Sequence, residues 1–249
     1  MEPHRPYTLE SGALLSRPEY NEWIIRHVRE QGGLCMGRLR FDANVAWFAN
    51  TDALNDLYGL RYVLEVLRRD EPNLAAVSLY GKLAQTLTRD TFYGAEGTGL
   101  RPLDNHGRPT YLPPNSSSTG YFLTMLRYML IQDWDLNDDG VPETLRLGFA
   151  VPRHWMRDGQ VVSVKNAPTA FGLVSYRIES QISQGKLIAD ISPAPRRPYR
   201  LLLRFRLPDG YRAVRATAIG QTLAIDDTGA VDLTGLRAPL RVVCEVAGH

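Results

Sequence analysis

The sequence predicts a two-domain α+β protein, with α-helical hairpins over residues 1–140 followed by an antiparallel β-sandwich over residues 141–249. Two observations predict it. Apolar residues recur at helical spacing before about residue 140 and in short strand-like runs after it. The later runs are separated by Gly, Pro and Asp at intervals typical of sandwiches. With 249 residues and 44% apolar content, the chain can fill one large core or two modest ones.

Taken in order, the first helix runs from Pro18 to Arg29, where Trp23, Ile24, Ile25 and Val28 share an amphipathic stretch opened by Ser16 and a first-turn proline. The second spans Thr51 to Arg69 on a stripe of Leu54, Leu57, Tyr58, Tyr62, Val63, Val66 and Leu67. Glu71-Pro72-Asn73 ends it and begins a third, carried by Leu74, Val77, Leu79, Tyr80, Leu83 and Leu87. A fourth, from about Gly120 to Asp133, carries Phe122, Met125, Leu126 and Met129, with Ser117, Ser118 or Thr119 as its cap.

Beyond residue 143, strands are expected at Leu145–Val151, Val161–Val164, Val174–Ile182, Lys186–Ile191, Tyr199–Leu207, Ala213–Ile219, Thr222–Ile225 and Leu240–Val246. Leu201, Leu203, Phe205 and Leu207 alternate with Leu202, Arg204 and Arg206, the pattern of a half-buried antiparallel strand. Pro208-Asp209-Gly210 and Asp226-Asp227-Thr228-Gly229 supply turns.

Composition narrows the function classes. A formal charge of +2 with both signs mixed gives no footprint for nucleic acid or membrane. Nothing approaches the ~20 apolar residues of a membrane span or the form of a signal peptide, so a soluble, cytoplasmic chain is expected. Two cysteines, Cys35 and Cys244, make no disulfide framework, although one bridge stays open. Phosphate loops, dinucleotide fingerprints, zinc spacings and nucleophile elbows are missing.

Residues 90–119 interrupt the periodic pattern, and so long a break inside a compact domain marks a functional or a disordered loop, with Phe92, Tyr93 and Tyr111 weighing against disorder. Glu96 lies between Gly94 and Gly97, which let backbone approach a ligand closely, and Phe92, Tyr93 and Tyr111 offer an aromatic platform. Acid–base chemistry on a sugar needs carboxylates flanking the bond, and Glu96 is the best single candidate. The plain alternative is that Glu96 caps a turn or pairs with Arg89 or Arg101. A second cluster runs from Arg40 to Asp52. Either Asn50, Thr51 or Asp52 caps the long helix, or Asp42, Asp52 and Trp47 stand at the mouth of a helical barrel.

Asp135, Asn137 and Asp139, followed by Gly140, place oxygen ligands at alternate positions before a glycine turn, with Glu143 as a later ligand. This resembles the opening of a calcium loop, but Arg146 stands where the bidentate glutamate of an EF-hand belongs. Ca2+ fixing the angle between the domains is one reading. A plain domain-joining turn is the other.

Tyr58-Gly59-Leu60-Arg61-Tyr62, Tyr80-Gly81-Lys82-Leu83-Ala84, Gly94-Ala95-Glu96-Gly97-Thr98, Leu112-Pro113-Pro114-Asn115-Ser116 and Ala167-Pro168-Thr169-Ala170-Phe171-Gly172 carry a family resemblance. Over residues 40–247 the chain resembles the C-terminal portion of bacterial six-hairpin, (α/α)6-barrel glycosidase-like proteins, whose helical toroid precedes a β-sandwich. The resemblance implies a glycoside hydrolase, or its C-terminal part, using carboxylate chemistry without an organic cofactor. It carries over Glu96, then Asp42 and Asp52, as acids, and Trp47, Tyr93, Tyr111 and Asn115 as sugar contacts. Six hairpins need two helices each, whereas four or five are read here, so the implied toroid is partial. Its apolar faces then call for self-association or a partner chain, and either the main catalytic residues lie upstream or the chain is a remnant that binds rather than cuts. The alternative function is a non-catalytic carbohydrate-binding or accessory module.

Overall fold

The computed structural model describes residues 18–41, 52–55, 59–101, 109–137, 139–236 and 239–248. The fold is α+β and divides into two compact units, Met1–Tyr128 and Met129–His249. Four helices occur among the described residues: α1 (Pro18–Glu30), α2 (Gly59–Arg68), α3 (Pro72–Gln85) and α4 (Ser116–Leu130). None is long and apolar enough to cross a membrane.

The first unit also holds a sheet that the apolar period does not announce. Strands β1 (Leu34–Cys35), β2 (Arg38–Phe41), β3 (Ala53–Asn55), β4 (Gly97–Gly99) and β5 (Thr110–Tyr111) pair antiparallel in sequence order. Each is too short for its alternation to be read. The helix expected from Thr51 therefore starts at Gly59, because Ala53 to Asn55 pair with β2 on one side and β4 on the other. Asp52 precedes a strand and caps no helix.

Helix α1 buries Asn21, Ile25 and Val28 on one face and leaves Trp23 58% exposed. Arg29 donates to both carboxylate oxygens of Glu71, and Arg69 pairs with Glu22 at 2.7 Å, so α1 is tied to the turn joining α2 and α3. The buried face of α3 is not the stripe of large apolar residues the sequence suggests. Ala75, Ser78, Leu79, Gly81 and Lys82 turn inward, while Leu74, Val77 and Tyr80 are exposed. Small residues are required there, because a Cβ at Gly81 would fall 2.1 Å from the Met36 carbonyl oxygen. Ser78 Oγ donates to the Gly37 carbonyl at 2.8 Å in the same contact. Helix α4 begins earlier than expected, capped by Asn115, whose Oδ1 accepts the Ser118 N–H at 2.9 Å.

The last residues expected in that helix instead form strand β6 (Ile131–Trp134), which belongs to the second unit. There, β6, β7 (Thr144–Leu147), β11 (Arg200–Arg204) and β14 (Ala230–Asp232) form a four-stranded sheet in the order β14-β11-β7-β6, with β7 and β11 parallel. The remaining strands are β8 (Val161–Thr169), β9 (Gly172–Gln181), β10 (Lys186–Ser192), β12 (Tyr211–Ala218), β13 (Gln221–Leu223) and β15 (Leu240–Gly248). They make an antiparallel sheet in the order β13-β12-β15-β10-β9-β8. One hydrophobic core takes Leu145, Leu147, Leu201 and Leu203 from the smaller sheet and Tyr176, Ile178, Leu187 and Val242 from the larger.

Strand β11 is not half-buried. It lies between β7 and β14, and Leu201, Leu202, Leu203 and Arg204 are all buried. The arginines at the polar positions are taken in because backbone carbonyls receive them. The Arg204 guanidinium sits 4.1 Å from the Phe149 ring centroid and donates to Thr228 Oγ1 at 2.7 Å, while Arg206 donates to the Val151 carbonyl at 2.8 Å. Both cysteines are free thiols, with Cys244 fully buried.

Candidate functional site

Strand β4 brings together parts of the chain that are separate in sequence. Just before it, the Glu96 N–H donates to the Tyr111 carbonyl at 3.0 Å, and Gly97 stands opposite Tyr111 in the β4–β5 register. The Asn115 N–H donates to the Gly94 carbonyl at 2.7 Å, so the residue that caps α4 also anchors the Gly94-Ala95-Glu96 segment. Upstream, the Tyr93 N–H donates to Thr88 Oγ1 at 2.7 Å, and Leu87 bridges Gly94, closing a tight turn that presents Phe92 and Tyr93.

Glu96 is half-buried, on a segment whose backbone neighbours carry exposed aromatic residues. Tyr93 and Tyr111 are 56% and 48% exposed. Among the described residues, the Glu96 carboxylate has no hydrogen-bond or ion-pair partner; Arg89 faces Asp90 and Arg101 faces Asp52. Four of the residues singled out from the sequence, Glu96, Tyr93, Tyr111 and Asn115, thus come from neighbouring segments of one surface.

Beneath this surface lies a polar pair that the sequence does not advertise. Lys82 Nζ donates to Ser118 Oγ at 2.9 Å, and neither residue has exposed surface. A Cβ at Gly94 would lie 2.7 Å from Ser118 Oγ, so the glycine lets the Glu96 segment rest directly on the pair. Burial, reinforced by the positive charge of Arg38, pulls the Lys82 ammonium down to about 6. Arg38 is itself buried, its guanidinium pulled down to about 10 by desolvation, and a Cβ at Gly59 would meet its NH2 at 2.6 Å. The available signal was positional: Lys82 follows Ala75, Ser78 and Leu79 by seven, four and three residues, which puts it on the inward face of α3.

Asp52 is differently employed. Its carboxylate faces Arg40 at 3.0 Å and Arg101 at 3.5 Å, and its carbonyl accepts the Leu100 N–H at 2.7 Å. Leu100 lies four residues beyond Glu96 along the β4 segment, about 13 Å at the strand rise. Paired glycosidic carboxyl groups stand about 5–9.5 Å apart. Asp42 and Trp47 lie outside the described residues.

In the β6–β7 loop, the side-chain oxygens of the calcium-like motif accept backbone N–H groups. Asp135 takes those of Asp139 and Gly140 at 3.2 and 2.7 Å, Asp139 takes that of Val141 at 2.8 Å, and Asn137 Oδ1 takes that of Asp139 at 3.3 Å. Both Glu143 oxygens lie 3.1 Å from the Leu136 N–H. These bonds run from backbone N–H groups to side-chain oxygens within the loop. Among the described residues, no cluster of three or more His, Cys, Asp or Glu side chains is arranged to hold a metal ion.

No family model and no curated protein sequence matches the chain. Two solved structures are distantly similar in fold. One is described as a glycoside hydrolase, with a TM-score of 0.38 and 11% identity over 78% of this chain and 33% of its own. The other is a GH127 β-L-arabinofuranosidase from Geobacillus stearothermophilus T6, with a TM-score of 0.40 and 12% identity over 86% of this chain and 36% of its own. The chain spans about a third of the length of these structures.

Proposed function

We propose that this chain belongs to a carbohydrate-active protein that holds a glycan against Tyr93 and Tyr111 and acts on it through the Glu96 carboxylate. In this reading the helices are part of an (α/α)6 toroid and the two sheets of the second unit are a β-sandwich. The observation that carries it is the half-buried Glu96 carboxylate, which has no hydrogen-bond or ion-pair partner among the described residues, on a segment bonded through its backbone to the exposed Tyr111. Aromatic faces suit the apolar side of a sugar ring, and a carboxylate free of salt bridges is available to accept a sugar hydroxyl or to exchange a proton at a glycosidic oxygen. Asn115 contributes by position, since its side chain caps α4 while its backbone fixes the segment that carries Glu96.

The test is a panel of oligosaccharides assayed for binding and turnover with the wild type, Glu96→Gln and Tyr111→Ala. Tyr111→Ala is expected to weaken binding several-fold, and Glu96→Gln to lower turnover by about 100-fold or more. Unchanged binding and turnover in Glu96→Gln would sink the proposal. A second reading, a binding module without hydrolysis, is favoured by Asp52, whose carboxylate is held by Arg40 and Arg101. That reading predicts no turnover by the wild type and an affinity that still falls in both variants.

A further inference from the structure

Strands β8, β9, β10 and β15 lie side by side, and their register sets Ser163, Arg177, Asp190 and Arg241 in one row across the larger sheet. Side chains alternate along each strand, so this row faces outward, while Tyr176, Ile191 and Leu240 one step along face the core. At the ordinary strand spacing, the row is about 14 Å long. Two residues further along, Ser175 pairs with Ser192, and Lys165 stands at a bulge in β8. Together these side chains line a shallow, open groove of about 360 Å³ on the sheet surface.

The charges of the groove are partly spent and partly free. Arg241 uses Nε and NH2 on the Asp190 carboxylate, at 2.7 and 2.9 Å, and Arg177 uses NH1 on Glu179. Hydrogen bonds hold both carboxyls below the usual carboxylate range, Asp190 through Arg241 and Glu179 through Gln181 and then Arg177, so both are ionised at neutral pH. Lys165 has no ion-pair partner among the described residues, and the hydroxyls of Ser163 and Ser192 are likewise uncommitted there. Three cations against two carboxylates leave one positive charge. The two donors with capacity left, Lys165 and Arg177, sit on adjacent strands with the Ser163 and Ser192 hydroxyls in the same lining. One net positive charge matches a single carboxylate carried on a ring with hydroxyls better than a phosphate dianion.

We infer that this groove is a second saccharide site, one that takes a uronic-acid residue with its carboxylate at Lys165 and Arg177. The inference rests on the carbohydrate reading above but on different residues. It is tested by calorimetric titration of the whole chain with tri-galacturonate and with its carboxyl-reduced neutral counterpart, with melting midpoints confirming that each variant is folded. Lys165→Gln and Arg177→Gln are each expected to weaken tri-galacturonate binding about tenfold, and added salt to weaken it further. Glu96→Gln is titrated in parallel and reports on the Glu96 site. No heat at millimolar tri-galacturonate, equal affinity for the neutral trimer, or displacement by inorganic phosphate at lower concentration would each overturn it. If Glu96→Gln alone weakens saccharide binding, the groove falls and the Glu96 site stands. If only the groove variants matter, the reverse holds.

Discussion

Lys82 gives the first unit a pH dependence whose sign follows from its burial. Its ammonium is pulled down to about 6 in the folded chain, against an ordinary value of 10.5. Between those values the unfolded chain holds one more proton than the folded one, so stability rises with pH, by at most about 1.4 kcal/mol per unit. Below about pH 6 both states are protonated and this contribution is flat. Denaturant melts from pH 6 to 10 should therefore show a rise in the wild type that Lys82→Met removes, and parallel curves would show that the amine is solvated in the folded chain. Glu96 could be singled out because its flanking glycines are local facts, and both are used: Gly94 rests on Ser118 and Gly97 enters β4. The situation of Asp52 was not legible, since Arg40 and Arg101 reach its carboxylate from positions far along the chain.

Among the elements, those with long apolar periods were legible and the short ones were not. Helix α1 and strands β8, β9, β10 and β15 lie close to where the periodicity puts them. Strands β1 to β5 are at most four residues long, and β4 is Gly-Thr-Gly, so only their hydrogen-bonded neighbours define them. The β6–β7 loop shows the same limit in a motif. Alternating oxygens suit a cation in one environment and backbone N–H groups in another. Because Asp135 accepts two of those N–H groups, Asp135→Ala is expected to lower the melting midpoint by about 2–4 °C. A chelator is expected to leave the wild-type midpoint unchanged. A chelator-dependent fall that Asp135→Ala abolishes would instead assign the loop a cation.

For the molecule as a whole, the two free thiols report on the two units separately. Cys35 is partly exposed in the first unit, whereas Cys244 is fully buried in the core of the second, its thiol pushed up to about 12 by burial and then by the nearby Glu245 charge. A thiol reagent should label Cys35 in the native chain and Cys244 only as fast as the second unit opens. Equal native rates at both positions would contradict the burial of Cys244. By itself the sequence determined the α+β class and the run of longer strands in the second unit, because apolar period is a property of neighbouring residues. Only the tertiary structure decided that Ala53 to Asn55 form a strand, that α3 turns its small residues and Lys82 inward, and that Arg204 and Arg206 are buried. Those outcomes depend on which distant carbonyls, hydroxyls and strand edges meet each residue, and the free energy of such long-range contacts outweighs the local preference.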